Sequence, residues 1–436
     1  MPDDGEDRQG GENVYIFKAK PKKEKKKKSD SIEATELAVG HTLREAPELH
    51  EGGMLRFDEF SGRIMVARPI PRPDVDPVRF KPHELSDVDI THLIEWLQAH
   101  DFTGCGRIKV EAAVQAEAHR NRFSAVQERF NAFPAWDREE RLSDFLIHGC
   151  GVGEEDDLEF LQGVSRAFFI SICARVFRPG CKVDTMPVFE GPQSGLKSTM
   201  LRQLALNDEW FSDNLPHNLS SKDAKQHLAG KLIIEMSEIE QLERNSDRVL
   251  KQFLSMQEDR YRPPYGHHEI SQPRQCVFAG TTNDENYLRD ITGNRRYWPI
   301  RAVRIDLDYI HHNLEQVYAE AIFAYRAGEP WWFEGAREEA AKAVQESRRF
   351  YDAWEEIAAA EIEAKRTTAR KEGKPDFDIV TSDTLFGWYK ITVDKQDSRL
   401  TQRAGKIMKL LGGERCWIRV GGTIRRGFRF KTHFKE

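Results

Sequence analysis

At 436 residues the chain has room for two or three domains. Its 39% hydrophobic content supplies real cores, and its 32% charged content gives a heavily charged surface. A formal net charge of −6 excludes a uniformly polybasic nucleic-acid coat, so any DNA contact has to be local.

The N-terminus, "MPDDGEDRQGGEN", is acidic and lacks the apolar stretch of a secretory signal. No apolar run reaches eighteen residues, so no transmembrane helix is expected. The six cysteines form no C-x-x-C, which favours reduced thiols over a disulfide frame or a structural zinc. The expectation is a cytoplasmic protein with no membrane attachment.

In chain order, "KAKPKKEKKKKSD" (18–30) has no apolar face to bury. Residues 1–50 are expected as a disordered basic tail, either a solvated linker or an arm that attracts nucleic acid. Residues 51–150 read as an N-terminal α+β, mostly helical domain. In it "LRFDEFSGRIMV" predicts a hairpin turning at Ser61–Gly62. "SDVDITHLIEWLQAHDF" predicts a helix capped by Ser86, with Ile90, Leu93, Ile94 and Leu97 on one face, and "IKVEAAVQAEAHRNRF" a second helix.

Residues 151–335 read as an α/β core. A long apolar-periodic helix covers 158–176. The short, turn-bounded apolar stretches 186–189, 232–236 and 276–280 then alternate with helical ones, as buried parallel strands do. Residues 336–375, rich in Ala, Glu, Lys and Arg, predict a helical linker. Residues 376–436 predict a short capped helix ("TSDTLFGWY"), a second helix ("SRLTQRAGKIMKLLGG") and a hairpin turning at Gly421–Gly422 ("CWIRVGGTIRRGFRF"). Helix, helix, basic hairpin is the winged-helix order, and Arg403, Lys406, Arg425 and Arg426 are its candidate DNA contacts.

Four stretches carry chemistry. In "FEGPQSGLKSTM" an apolar strand leads into Gly191, Pro192, Gln193, Ser194 and Gly195, then Lys197, Ser198 and Thr199. A phosphate loop needs glycines to turn its N–H groups inward, a lysine for the β/γ-phosphates and a hydroxyl for Mg²⁺. Leu196 departs from that pattern, because the glycine expected directly before the lysine sits one place early, at Gly195. In "KLIIEMSEI" Glu235 and Glu238 end an apolar strand, where one carboxylate can hold Mg²⁺ and the other polarise the attacking water. "QCVFAGTTNDEN" puts Asn283 at a strand tip, able to hold water or the γ-phosphate. "TGNRRYWPI" places Arg295 and Arg296 before an aromatic anchor, the chemistry of an arginine finger. The bland alternatives are a strand–turn–helix with a surface lysine, surface glutamates, an Asx-turn and surface arginines bound to carboxylates.

A fifth stretch, "DRYRPPYGHHEISQPRQ", mixes cations with stacking faces, as single-stranded DNA binding requires. Arg260, Arg262, Tyr265 and His267 are its candidate contacts, with Tyr261 a further stacking face and Arg274 a further cation. A structural loop is one alternative and a metal site on His267–His268 the other, although adjacent histidines on a strand point apart.

These motifs in this order resemble the virulence-associated E family, phage- and plasmid-borne proteins related to superfamily 3 replicative helicases. The resemblance covers about 136–300 well and the two ends loosely. It implies an AAA+-like P-loop NTPase core working as a homo-hexameric ring, with ATP between subunits and single-stranded DNA through the hole. Lys197 and Ser198 match the Walker A lysine and serine, Glu235 and Glu238 the Walker B acids, Asn283 the sensor, and Arg295 and Arg296 the finger region. The function so implied is an ATP-dependent DNA helicase or translocase with ATP and Mg²⁺ as cofactors. Its expected partners are single- and double-stranded DNA and, where replication needs one, a primase on a separate chain. Two alternatives stand beside it: a DNA-binding initiator or regulator with a nucleotide switch, and a defence ATPase.

Overall fold

The computed structural model describes residues 31–46, 49, 53–71, 79–153, 156–193, 195–237, 249–262, 268–284, 286–288, 294–349, 352–380, 384–392 and 395–432. The basic run 18–30 and the candidate residues Ser194, Glu238, Tyr265 and His267 lie outside them. The chain divides into two compact units, Met1–Asp58 with Arg63–Phe123, and Glu59–Gly62 with Ser124–Glu436.

The first unit contains β1 (Ile32–Glu33), α1 (Glu36–Glu45), β2 (Leu55–Asp58), β3 (Arg63–Val66), β4 (His83–Glu84), α2 (Asp87–Ala99), β5 (Phe102–Thr103), α3 (Arg107–Ala118) and β6 (Arg122–Phe123). The hairpin at 55–66 and the Ser86 cap form as expected, with Ser86 and Asp89 in a reciprocal capping box. The expected disordered tail 1–50 is corrected in its second half. Thr35 caps α1, and Val39 and Leu43, four residues apart on one face, are buried with Leu93, Leu97, Val110 and Val114. Two apolar side chains at helical spacing suffice to dock a helix that is otherwise polar.

The second unit begins with α4 (Ala125–Asn131), α5 (Phe145–Cys150) and α6 (Leu158–Phe177). Val126, Phe130, Phe145 and Leu146 pack in the core of this unit. The boundary expected at 150 therefore moves back to 123. There follow β7 (Met186–Glu190), α7 (Lys197–Leu204), β8 (Phe211–Ser212), α8 (Lys222–His227), β9 (Ile233–Ser237), β10 (Glu258–Tyr261), β11 (Ile270–Pro273), β12 (Val277–Thr282), β13 (Tyr297–Arg301) and α9 (Leu307–Arg326). Five strands form one parallel sheet in the order β13-β7-β12-β9-β8.

Alternate side chains feed two apolar clusters. Phe189, Ile233, Val277, Ala279 and Ile300 meet α6, α7 and α9 in one. Val188, Ile234, Met236, Phe278 and Tyr297 meet Leu250, Phe253 and Leu254 in the other. Burial on both faces is why these strands read as unbroken apolar runs. Helix α6 is long and apolar enough to cross a membrane, yet 83% of that stretch is buried here, which makes it a core helix.

The expected linker 336–375 does not exist as one piece. Helix α10 (Ala336–Ser347) packs on the α/β core through Ala341, and Gln345 donates to the Tyr297 carbonyl at 2.8 Å. Helix α11 (Ala353–Lys371) instead buries Ala358 and Ile362 in the C-terminal cluster. That cluster joins β14 (Asp376–Val380), α12 (Phe386–Trp388), α13 (Ser398–Leu410) and β16 (Thr423–Lys431), and β15 (Glu414–Val420) pairs with β16. Its sheet is antiparallel, in the order β14-β16-β15. Gly421 and Gly422, at φ +55 and +81, supply the two positive φ angles of a tight two-residue turn.

A candidate phosphate-loop site

The parallel order brings the carboxyl ends of β7, β12 and β9 side by side, the usual ligand edge of an open α/β sheet. The loop leaves β7 at Gly191 and enters α7 at Lys197. A Cβ on Gly191 would stand 2.5 Å from the Ala302 carbonyl oxygen, so no side chain fits there. The sharp turn falls on Leu196, at φ +62, ψ +12. The sequence suggests that Gly195, one place early, supplies part of the freedom Leu196 lacks; this is corrected, since Gly195 is not among the positive-φ residues. The chain must turn at the residue directly before Lys197, and a glycine one place early cannot make that turn for it.

A leucine in the left-handed region costs about 1–2 kcal/mol, and Leu196 is 47% exposed, so packing offsets little of it. Leu196→Gly is therefore expected to leave turnover intact or raised. Leu196→Val, whose branched Cβ suits positive φ worst, should lower both turnover and melting temperature. Steady-state hydrolysis and thermal unfolding of the two variants check this, and a large loss in the glycine variant would contradict it.

Lys197 is buried, with 8% of its surface exposed. Its ammonium donates to the Gly191 carbonyl (2.9 Å), the Pro192 carbonyl (2.8 Å) and Asn283 Oδ1 (3.2 Å). Burial lowers its pKa, against the opposing pull of the Glu235 carboxylate. Ser198 Oγ donates to Glu235 Oε1 at 2.9 Å, and Thr281 Oγ1 donates to the same oxygen at 2.6 Å. The register of β9 with β12 sets Glu235 beside Ala279, which puts Thr281 on the same face.

Glu235 Oε2 is buried without a hydrogen-bond partner. Burial raises the carboxyl pKa, and the Thr281 and Ser198 bonds lower it. An orphaned carboxylate oxygen next to a serine hydroxyl is a hard-oxygen pair that fits a divalent cation. A cavity of about 510 Å³ opens over Gln193, Lys197, Ser198, Glu235, Thr281 and Asn283. Lysine, hydroxyl, carboxylate and amide thus converge at one cavity.

Two contributors escaped the sequence reading. Thr281 orients Glu235, and the run of threonines before Asn283 was the available signal. Glu190, buried at the end of β7, accepts from Tyr287 Oη (3.0 Å) and from Arg348 Nε (3.1 and 3.2 Å). Burial pushes its pKa up and Arg348 pulls it down.

The two arginines lie at the other edge of the sheet. They precede β13, whose Tyr297 is level with Met186 at the start of β7, about 13 Å along the strand from the loop at ~3.3 Å per residue. Arg296 donates to Ser255 Oγ (3.1 Å) and stands 4.0 Å from Asp184. Arg295 is exposed, with no ion pair among the described residues. It borders a cavity of about 420 Å³ lined by Trp298, Trp331, Trp332 and Phe333.

The stretch 258–273 is an antiparallel hairpin, β10 against β11. Arg260 is exposed on it and pairs with Glu258 at 2.7 Å, and Arg262 follows at the tip. Two expected contacts are corrected. Tyr261 is buried and offers no stacking face. Arg274 is fully buried, bidentate to Asp259 at 2.7 and 2.8 Å and bonded to the Phe253 carbonyl. It anchors the hairpin base.

In the C-terminal module Lys406, Arg425 and Arg426 are exposed. Arg403 is corrected as well. Its guanidinium is bidentate to Asp352 (2.6 and 2.7 Å) and lies over Trp354 at 4.1 Å, which ties α13 to the start of α11.

No curated protein matches the chain. Among solved structures it is similar to apo structures of the NrS-1 C-terminal region. One has 13% identity over 90% of this chain and 98% of that one, with a TM-score of 0.48. Another has 12% identity over 90% and 99%, with a TM-score of 0.47. A family profile, the virulence-associated protein E-like domain, matches residues 130–350, which takes in both the parallel sheet and α10. The chain belongs to the virulence-associated protein E-like family.

Proposed function

We propose that the chain is an ATP- and Mg²⁺-dependent DNA helicase or translocase serving the replication of a phage, prophage or plasmid. The observation that carries this reading is the Ser198–Glu235 pair, with one buried carboxylate oxygen left over, beside Lys197 and Asn283. Lys197 exchanges its two loop carbonyls for the β- and γ-phosphates. Ser198 and Glu235 hold the cation, and Asn283 stays within reach of the γ-phosphate. Glu238 keeps the expected role of polarising water. A bound cation neutralises charge on the β- and γ-phosphate oxygens. Arg295 serves a neighbouring subunit in a homo-hexameric ring, and the β10–β11 hairpin meets single-stranded DNA. Phosphate release measured with and without single-stranded DNA tests the reading, with DNA-stimulated hydrolysis expected.

A second reading has one observation in its favour. Leu196 is strained and Lys197 is already satisfied by loop oxygens, which suits an initiator that binds nucleotide as a switch. Nucleotide binding with no phosphate release in either condition would select it.

The C-terminal module is a winged helix on this reading. Its order of helix, strand, short helix, helix and hairpin, and the sheet order β14-β16-β15, support this. Arg399, Gln402, Lys406 and Lys409 lie exposed along one face of α13, where a recognition helix needs them. Removal of residues 352–436 is expected to weaken duplex binding and its steep salt dependence while basal hydrolysis survives. The cut belongs before α11, because a cut at 376 would strip Ala358 and Ile362 of their cover. Unchanged duplex affinity in titrations at two salt concentrations would assign the basic module to another task.

A further inference from the structure

The β15–β16 hairpin keeps its apolar character after it leaves its core. By the pairings Arg415↔Phe428, Trp417↔Arg426 and Arg419↔Ile424, these six side chains share one face of the hairpin. Phe428 on that face is buried in the cluster with Ala404, Ile407 and Met408 of α13. Further along, nothing in the described chain covers the face, and Trp417 is 65% and Ile424 60% exposed. A tryptophan so exposed wastes a large apolar surface in water unless something else stacks on it.

Its surroundings indicate what that is. Arg426 lies over the Trp417 ring at 5.1 Å, and Arg415 and Arg419 flank it on the same strand and face. Glu414 is the only acidic residue in the hairpin 414–431. Charge complementarity therefore selects a polyanion over a protein surface. Phosphates alone would be served by the arginines. A flat π-face among them is suited to an unpaired base, and base–aromatic stacking needs no particular sequence. A paired base inside a duplex offers no free face, so the fitting substrate is one in which the duplex has just ended.

We infer that Trp417 is a base-stacking contact for the junction between duplex and single strand, held at the edge of the duplex gripped by α13. The inference rests on the winged-helix reading of the module and names the substrate of its hairpin. Apolar side chains that wedge between bases and hold them unstacked are an established device in other DNA-binding proteins. Here Trp417 supplies the stacking plane, Ile424 beside it the apolar support, and the arginines bind the two diverging strands.

The test uses the full chain with three fluorescent probes of one sequence, a blunt duplex, a forked duplex and a single strand. Trp417→Ala is expected to lower affinity for the fork roughly tenfold, the lower range of an aromatic–base stack, and to leave the blunt duplex within about twofold. Trp417→Phe should restore most of the fork affinity. A 2-aminopurine placed at the junction should be quenched by the wild type and by Trp417→Phe, and not by Trp417→Ala. An equal loss on fork and blunt duplex would overturn the inference and make Trp417 a shaping residue of the hairpin. No loss on either probe, with the wild type binding duplex normally, would overturn it too. If the wild type and the 352–436 deletion bind duplex equally, it is the winged-helix reading that fails, and the two failures are told apart. Because Trp417 is exposed, the substitution should leave the melting temperature unchanged, which the same samples verify.

Discussion

Lys197→Ala is expected to abolish ATP hydrolysis, with a loss of at least about 10²–10³ in turnover, the scale on which a single preorganised donor matters in a water-poor site. Among the described residues of the loop no other side chain can replace it, since Gln193, Leu196 and Thr199 carry no charge. The geometry adds a distinction. The ammonium bridges the Gly191 and Pro192 carbonyls to Asn283, so its removal also unties the loop from the tip of β12. Lys197→Arg therefore should not rescue, because a planar guanidinium cannot occupy the point where three oxygens converge. Nucleotide binding and hydrolysis, measured on the same preparations, check both variants. Duplex affinity serves as the control for folding, because the C-terminal module buries its own separate cluster. Turnover like wild type in Lys197→Ala would mean that the loop does not hold phosphate.

Arg295→Ala should cost about 10³ in turnover or more, by the scale of arginine fingers, whereas Arg296→Ala should chiefly lower stability. The two differ because Arg296 is held by Ser255 and lies near Asp184, while Arg295 is exposed. On the proposed ring reading, neither serves its own subunit's loop. The start of β13 and the end of β7 lie at opposite ends of two neighbouring strands, about 13 Å apart by strand rise. That separation makes the effect measurable in mixtures. Arg295→Ala and Lys197→Ala proteins, each nearly inactive alone, should regain activity when mixed. Some interfaces then join an intact loop from the first to an intact finger from the second. With subunit exchange shown by a fluorescence label, failure to regain activity would count against a finger supplied in trans.

How much of this was legible in the sequence follows from how local each determinant is. Ser86 with Asp89, Gly421–Gly422 and the apolar strands 186–189 and 276–280 carry their instructions within a few residues, and each formed where expected. Lys197, Ser198, Glu235 and Asn283 came together because each follows or ends a buried apolar strand, and parallel strands place their carboxyl ends on one side of the sheet. What stayed hidden depended on partners distant in sequence. Arg274 and Arg403 look like free cations until Asp259 and Asp352 are found beside them, 15 and 51 residues away. Helix α1 looked polar because its neighbours in sequence are polar, while Val39 and Leu43 meet an apolar cluster in space, and the burial of Tyr261 likewise depends on the fold around it. The turn at Leu196 was misjudged for another reason. Residue type suggested which position should bend, and the entry into α7 decided it.

The buried Arg274–Asp259 pair has a consequence for how this protein can change over generations. Losing one partner of such a pair costs about 3–5 kcal/mol, a large part of a domain's stability. The base of the β10–β11 hairpin is thus closed to drift at either position, and single substitutions there are purged. Arg260, one residue farther out, is exposed, and its surface pair with Glu258 contributes little to stability. Substitution there costs far less than at the buried pair. A lineage can rewrite what its hairpin touches, residue by residue, while inheriting the stem that holds it out.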